Sequence, residues 1–261
     1  MDLALAGRTF LVTGGSAGIG LGTVRRLVTE GANVAACARG EDTLRAALTE
    51  VDPSGEQTLA VPMDITADGA TDDLVAAARD RFGRIDGVVN NAGTSLRTPF
   101  DEIDQSTWDE DMGLKLFPAM RLVQAVRGEM RERGDGAVVN VLSVQGKHPP
   151  AGSMPTSVTR AAGLAMTKAL SKELGPDGIR VNAVCVGIIK SAQIDRRWQA
   201  EAPELDRDTW YRQNAEKRNV PLGRGGEPDE VAAVIALLLS PTAGYTTGAA
   251  VNVDGGVSAV T

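Results

Sequence analysis

Residues 8–20 combine a short apolar run, a cluster of glycines and the start of a helical pattern. Arg8 to Val12 is typical of a short buried strand, and apolar helical spacing begins soon after it at Leu21. Backbone N–H groups at a helix N-terminus are unpaired, and the helix dipole favours negative charge there. Glycine also lets the backbone approach a pyrophosphate without a Cβ in the way. The stretch therefore predicts a dinucleotide site, with an ordinary strand-to-helix turn as the alternative. The glycines of this cluster are Gly14, Gly15, Gly18 and Gly20.

Composition limits the classes to which the chain can belong. The 261 residues are 43% hydrophobic but only 3% aromatic, so a large core must be built from Ala, Val, Leu and Ile. A net charge of −7 argues against a nucleic-acid binder, and one histidine with two cysteines argues against a metal site. No apolar run reaches the roughly eighteen residues of a membrane span, and the N-terminus has no signal-peptide pattern. We expect a cytoplasmic protein that acts on a small molecule.

Short apolar runs alternate with longer amphipathic segments along most of the chain. Runs that lack polar alternation predict strands covered on both faces, and strand–helix alternation predicts parallel strands joined by right-handed crossovers. We therefore expect one α/β domain over residues 1–261, built on a doubly wound, mostly parallel, seven-stranded Rossmann sheet. Its predicted strands are 10–12, 33–37, 58–62, 85–89, 137–142, 180–186 and 249–253, and its predicted helices are 18–30, 41–50, 67–82, 106–133, 155–174 and 227–240.

A polar insertion follows the sixth predicted strand, at residues 190–224. In a doubly wound sheet such a segment lies beyond the carboxyl ends of the strands, where ligands bind. It is either a substrate lid or a plain surface excursion.

The end of the second predicted strand bears on cofactor choice. An acidic residue about twenty positions past the glycine turn would bind the ribose 2′-hydroxyl of NAD. Here that position is Ala38, and Arg39 follows it. A guanidinium suits a 2′-phosphate, so NADP is favoured, with NAD still possible. After the third strand, Asp64 either accepts a bond from the adenine amino group or caps the next helix, and Ile65 stands beside it.

The ordered set of motifs resembles the short-chain dehydrogenase/reductase family across essentially the whole chain. It comprises the glycine turn, Asp64, Asn-Asn-Ala-Gly at 90–93 and Asn-Val-Asp-Gly-Gly at 252–256. The resemblance implies an NAD(P)-dependent oxidoreductase. It also implies a homotetramer, in which the helices 106–133 and 155–174 pair across subunits. The cofactor contacts that the resemblance implies are Thr13, Gly14, Ser16, Gly18, Ile19, Gly20, Asn91, Ala92, Gly93, Arg160, Gly187, Ile189 and Ser191.

The catalytic positions depart from the family pattern. The family uses a Tyr-x-x-x-Lys pair, a serine thirteen residues before the tyrosine and an asparagine on an earlier helix. Ser143 matches the serine, whose hydroxyl binds the substrate carbonyl. Thr156 and Arg160 stand in place of the tyrosine and the lysine, and Lys115 stands in place of the asparagine. A threonine hydroxyl is a far weaker acid than a tyrosine, and an arginine cannot relay a proton, so the usual proton path is broken.

Other side chains could supply the missing proton. Lys115 near Arg160 would have a lowered pKa, although its amine could instead point into solvent. His148 lies in a loop that borders the substrate cleft of this fold and titrates in a suitable range, although it could be an ordinary exposed histidine. Tyr211 of the insertion is a third candidate, and Lys147 could attract an acidic substrate.

Three functions remain open at this stage. The first is an NADP(H)-dependent oxidoreductase that interconverts carbonyl and alcohol groups, or reduces a related unsaturated group, with a non-standard proton donor. The second is a nucleotide-binding sensor or scaffold without turnover. The third is a non-redox enzyme on the same fold, of the lyase or dehydratase type.

Overall fold

A computed structural model describes all residues from Met1 to Thr261. Its centre is a seven-stranded sheet in the order β3-β2-β1-β4-β5-β6-β7, in which every neighbouring pair is parallel. This confirms the predicted doubly wound Rossmann fold. The strands are β1 Thr9–Thr13, β2 Asn33–Ala38, β3 Thr58–Pro62, β4 Gly87–Asn90, β5 Gly136–Ser143, β6 Ile179–Val186 and β7 Ala250–Val253.

Nine α-helices connect or follow these strands. They are α1 Gly18–Thr29, α2 Glu41–Val51, α3 Ala70–Phe82, α4 Gln105–Lys115, α5 Phe117–Arg133, α6 Thr156–Glu173, α7 Ala192–Glu201, α8 Arg207–Lys217 and α9 Pro228–Leu239. No helix is both long and apolar enough to cross a bilayer.

Helices cover both faces of the sheet, which explains why its strands lack polar alternation. One apolar core lies between the sheet and helices α1, α2 and α9, and includes Val24, Leu44 and Ile235. The other lies under α3 and α5, and includes Leu74 and Val126. Few aromatic residues take part, so aliphatic packing supplies nearly all of the buried apolar surface.

The strand order reverses between β1 and β4, because β2 follows β1 on one side and β4 lies on the other. Crevices at such a switch point, outside the carboxyl ends of the strands, are where doubly wound sheets bind ligands. The glycine turn after β1 and the loop after β4 meet at this point.

Two of the predicted helices differ from those in the structure: one is broken in two, and the other begins later in the chain. The segment 106–133 contains two helices, α4 and α5, which are separated at Leu116. Pro118 accounts for the break, because it has no N–H and its ring would clash with the carbonyl four residues earlier. Asp64 does not cap a helix, since its carboxylate accepts bonds from Thr66 and α3 begins only at Ala70, after Gly69 with a φ of 77°.

The insertion at 190–224 contains α7 and α8. Arg207 bonds both carboxylate oxygens of Asp195, at 2.8 and 3.1 Å, which ties the start of α8 to α7. Trp210 and Tyr211 are buried and pack edge to face, with ring centroids 5.3 Å apart. The segment is therefore a packed helical pair.

Candidate active site

The glycine turn is too tightly packed to accept side chains. Gly14 has a φ of +70°, and a Cβ there would lie 3.0 Å from Asn91 Nδ2. A Cβ on Gly20 would lie only 2.0 Å from the carbonyl oxygen of Gly14. The backbone thus folds closely onto the N-terminus of α1, which leaves the N–H groups of that terminus open to an anion.

The end of β4 holds this turn in place. Thr13 Oγ1 accepts the backbone N–H groups of Asn91 and Ala92, each at 2.9 Å. Asn91 Nδ2 donates in return to the carbonyls of Thr13 and Gly14, at 2.9 and 3.2 Å. Asn90 Nδ2 donates to Asn140 Oδ1 at 2.8 Å and so joins β4 to β5. The asparagines therefore tie neighbouring strand ends together.

Ser191 faces the glycine turn across the crevice. Its Cβ lies 3.7 Å from the position that a Cβ on Gly18 would take. Its Oγ accepts the N–H of Ile194 at 3.4 Å and caps the N-terminus of α7. The half-buried Ser16 and Ile19 lie on the turn itself. Predicted cofactor contacts from the glycine turn, the end of β4 and the segment after β6 thus lie close together.

Arg39, Asp64 and Ile65 lie at the ends of β2 and β3, where the adenosine of a dinucleotide would rest. Arg39 and Asp64 are exposed, whereas Ile65 is buried in the second core. Asp64 Oδ1 accepts the N–H and the hydroxyl of Thr66, at 2.9 and 2.8 Å. These bonds, with a smaller effect of the Arg39 charge, lower the pKa of Asp64, so the carboxylate stays ionised.

The segment after β6 offers free backbone polar groups. A parallel bridge joins it to Gly226, which accepts the Lys190 N–H and donates to the Ile188 carbonyl, each at 2.9 Å. This register leaves the amide of Ile189 outside the pairing. Gly187 allows the close approach that the segment needs, because a Cβ there would lie 2.8 Å from Asp254 Cα.

Lys115 points into the protein and forms an ion pair with Asp111 one turn earlier on α4. Each side chain is only 1% exposed. Burial lowers the pKa of Lys115. The hydrogen bond that its ammonium donates to Asp111 opposes this shift, and the positive charge of Arg160 lowers the pKa further. The alternative that the amine of Lys115 points into solvent is therefore wrong.

The hydroxyl of Thr156 is fully engaged. Its Oγ1 accepts bonds from Lys115 Nζ and from the N–H of Leu96, both at 2.9 Å, and donates to the carbonyl of Leu96 at 2.7 Å. A hydroxyl has one proton and two lone pairs, so no capacity remains for a substrate. This geometry argues against the predicted catalytic use of Thr156 and makes it an anchor for the loop after β4.

Arg160 extends from α6 toward the ends of β4 and β5. Its Nη1 donates to the carbonyl of Val141 at 2.8 Å, and burial lowers the pKa of its guanidinium. A Cβ on Gly93 would lie 2.9 Å from Arg160 Nη2 and 3.4 Å from Lys115 Cγ. Gly93 thus leaves the room in which the two cationic side chains converge. Arg160 Nε is buried without a partner.

Ser143 is the last residue of β5, two positions after Val141, whose carbonyl accepts from Arg160. Its Oγ accepts the N–H of Gln145 at 3.2 Å, and the half-buried hydroxyl donates to no group of the protein. Its proton is therefore free to bond a substrate oxygen, as the family resemblance implies.

The other predicted donors lie in different surroundings. His148 is exposed on the loop after β5. Tyr211 donates to Asp195 at 3.1 Å and accepts the N–H of Ser191 at 3.3 Å, and burial raises its pKa to about 12. Tyr211 therefore secures the 190–224 insertion and is a poor acid. Lys147 is not free to attract an acidic substrate, because its Nζ donates to Ala250 and Asn252 of β7.

Sequence reasoning missed Asp111. The residue matches no motif of the family, but it lies four positions before Lys115 on a helix, and side chains at that spacing share a face. This spacing was the available signal. It could not show that both side chains face the interior.

Comparisons with known proteins identify the family of this chain. The family model described as enoyl-(acyl carrier protein) reductase matches residues 14–258. The 3-oxoacyl-[acyl-carrier-protein] reductase of Thermotoga maritima is 31% identical over 98% of this chain and 99% of its own length.

Two similar solved structures come from Pseudomonas aeruginosa PAO1 and are described as a short chain oxidoreductase containing an atypical catalytic center. The ligand-free structure is 36% identical and covers 98% of this chain and 99% of its own, with a TM-score of 0.93. The NADPH-bound structure is 34% identical and covers 97% and 98%, with a TM-score of 0.91.

The match spans nearly the whole chain, so the family resemblance is confirmed. The TM-scores show that the overall fold is shared with both solved structures. The protein belongs to the short-chain dehydrogenase/reductase family.

Proposed function

We propose that this protein is an NADP(H)-dependent oxidoreductase that interconverts a carbonyl and an alcohol group, or reduces a related unsaturated group. The observation that carries the proposal is the convergence of two cationic side chains, the buried Lys115 and the half-buried Arg160, at Gly93. The hydroxyl of Ser143, at the end of β5, donates to no group of the protein and can bond a substrate oxygen. Similar proteins support the proposal, since they include a 3-oxoacyl-[acyl-carrier-protein] reductase and an oxidoreductase whose structure contains NADPH.

The crevice at the β1/β4 switch point fits a dinucleotide. The glycine turn packs closely against the end of β4, and the free N-terminus of α1 beside it favours a pyrophosphate. The amide of Ile189 lies outside the backbone pairing, as a partner for a carboxamide requires. We assign the cofactor to Thr13, Gly14, Ser16, Gly18, Ile19, Gly20, Arg39, Asp64, Ile65, Asn91, Ala92, Gly93, Arg160, Gly187, Ile189 and Ser191.

The residues at the nicotinamide end suit carbonyl reduction. When bound, NADPH supplies a hydride to the carbonyl carbon. Ser143 donates a hydrogen bond that orients the carbonyl oxygen, and the Lys115 ammonium transfers a proton to that oxygen as it gains negative charge. Lys115 is then a neutral amine and regains a proton from solvent. His148 is the second candidate donor.

Local charge also favours this chemistry. Lys115 and Arg160 share one buried carboxylate, Asp111, so the group carries a net positive charge. A fixed positive charge at low dielectric stabilises a developing alkoxide more than it stabilises a neutral ketone. Thr156 contributes indirectly, because it holds the loop after β4 against α6.

The first test measures binding and turnover separately. NADPH titration, followed by nicotinamide fluorescence, should show saturable binding. The purified protein should then consume NADPH with at least one member of a panel of ketones, aldehydes, quinones and activated alkenes. Absence of binding to both NADPH and NADH would reject the proposal. Binding without consumption across the panel would favour the sensor or the non-redox enzyme instead.

Arg39 provides a test of cofactor choice. Its exposed guanidinium at the end of β2 can bond a 2′-phosphate, so Arg39→Ala should weaken NADPH binding by about tenfold or more, equivalent to about 1.4 kcal/mol, and leave NADH binding unchanged. Arg45→Ala is the matched control, because Arg45 is an exposed arginine on α2 that pairs with Glu41. Equal losses for both cofactors would contradict the 2′-phosphate role.

The 190–224 insertion and the assembly state complete the proposal. We assign the insertion as the substrate lid, because Ser191 near its start faces Gly18 of the glycine turn and Tyr211 of α8 bonds the N–H of Ser191. Helices α5 and α6 leave Phe117, Met120 and Val158 at least 40% exposed, which supports the homotetramer that the family resemblance implies. Sedimentation velocity tests the assembly state, and a monomer would contradict it.

A further inference from the structure

Asp111 stands at the centre of the buried polar cluster formed by Asp111, Lys115, Thr156 and Arg160. It is 2% exposed, and its Oδ1 accepts from Lys115 and lies 3.3 Å from Thr156 Oγ1. Its second oxygen, Oδ2, is buried and has no hydrogen-bond partner. The carboxylate is therefore not neutralised by backbone donors, and its charge acts on the two neighbouring cations.

We infer that Asp111 is a positioning residue that holds Lys115 as a charged, oriented ammonium, ready to protonate the substrate oxygen. The inference rests on the proposed function, since it assumes that Lys115 is the proton donor. Asp111 is distinct from the predicted catalytic positions Ser143, Thr156, Lys115 and Arg160.

Burial explains why Lys115 needs such a partner. A buried amine favours its neutral form, and a neutral amine cannot act as the acid in reduction. The charged groups around it come from two helices: Asp111 and Glu110 from α4 favour the ammonium, and Arg160 from α6 opposes it. The residues of the loop after β4 that contact this cluster, Gly93 and Leu96, are uncharged. Of the two carboxylates, Asp111 is buried and Glu110 is exposed.

Geometry gives Asp111 a second role. An ammonium has three N–H donors, and here one goes to Asp111 and one to Thr156. The two bonds hold the end of a four-carbon side chain that would otherwise sample many rotamers. The third N–H stays available. The pair therefore restricts both the position and the charge of the donor.

Asp111→Asn tests the inference, because it removes the charge but keeps an oxygen that can accept from Lys115. The pKa of Lys115 should fall, so the ammonium, and with it reduction, should persist only to a lower pH. We expect the basic limb of the kcat profile to move down by about one pH unit or more, with the loss of kcat growing as the pH rises through the shifted limb. NADPH affinity should stay within about twofold, since the residue is assigned no cofactor contact.

A readout that does not depend on turnover is the ¹⁵N NMR titration of Lys115 Nζ in the protein without substrate. Asp111→Asn should lower the titration midpoint, and Asp111→Glu should restore most of it. Glu110→Gln is the matched control, because it removes an exposed negative charge from the same helix and should move the midpoint far less. Thermal unfolding of each variant shows whether it is folded. If Asp111→Asn does not fold, the midpoint of Asp111→Glu is compared with that of the native protein instead.

The outcomes separate the inference from the proposed function. If Lys115→Met leaves turnover unchanged, the donor assignment fails and this inference fails with it. If Lys115→Met removes turnover but Asp111→Asn and Glu110→Gln have equal, small effects on the midpoint and the pH profile, only the inference about Asp111 is overturned.

Discussion

Lys115→Met should lower kcat for NADPH-dependent reduction by about 10²–10⁴-fold, the usual contribution of a positioned general acid. The loss should fall on kcat, with NADPH affinity nearly unchanged, because Lys115 is assigned no cofactor contact. Steady-state kinetics and NADPH titration on the same preparation measure the two effects. Lys172→Met, at an exposed position on α6, is the matched control and should behave like the native protein.

The methionine leaves Asp111 buried without its partner, which could unfold the chain by itself. Lys115→Arg separates charge from proton transfer, because arginine can pair with Asp111 but keeps its proton throughout. If Lys115 is the donor, this variant should fold and remain slow. Turnover near the native level in Lys115→Arg would show that only the positive charge is needed, and would leave His148 as the donor to test.

Gly20→Ala should abolish measurable NADPH binding, or weaken it by at least about 100-fold, equivalent to about 2.7 kcal/mol. The added methyl would lie 2.0 Å from the Gly14 carbonyl oxygen and 2.7 Å from Asn91 Nδ2. One of these groups is backbone, so the turn itself must move, and the N–H groups that face the pyrophosphate move with it. Isothermal titration calorimetry measures the loss.

Gly128→Ala provides the control for this substitution. Gly128 lies inside α5, and a Cβ there meets no atom within 4 Å. Alanine should raise helix stability by about 1 kcal/mol or less and leave NADPH binding unchanged. Native-like NADPH affinity in a folded Gly20→Ala variant would contradict the assignment of the turn as the pyrophosphate site.

Much of the fold and of the cofactor side could be predicted from local sequence patterns. A buried strand needs a continuous apolar run, and a tight turn against a helix N-terminus needs glycine. The residue types at 10–12 and 14–20 therefore suffice to predict β1 and the glycine turn. Asn91 and Arg39 could be assigned because strand ends in a parallel sheet meet at one edge. The break before α5 was the main error, although Pro118 was visible in the sequence.

By itself, then, the sequence determined the sheet and the dinucleotide crevice, and it predicted Thr156 and Arg160 in place of the Tyr-x-x-x-Lys pair, because each depends on residue type at short spacing. Only the tertiary structure decided what replaced that pair. Thr156 bonds Leu96 and Lys115, which lie 60 and 41 positions away, and these bonds exist only because α4, α6 and the loop after β4 pack together. The same packing turns Asp111 and Lys115 inward. Whether a side chain is buried or solvated sets its charge, and burial is a property of the assembled fold.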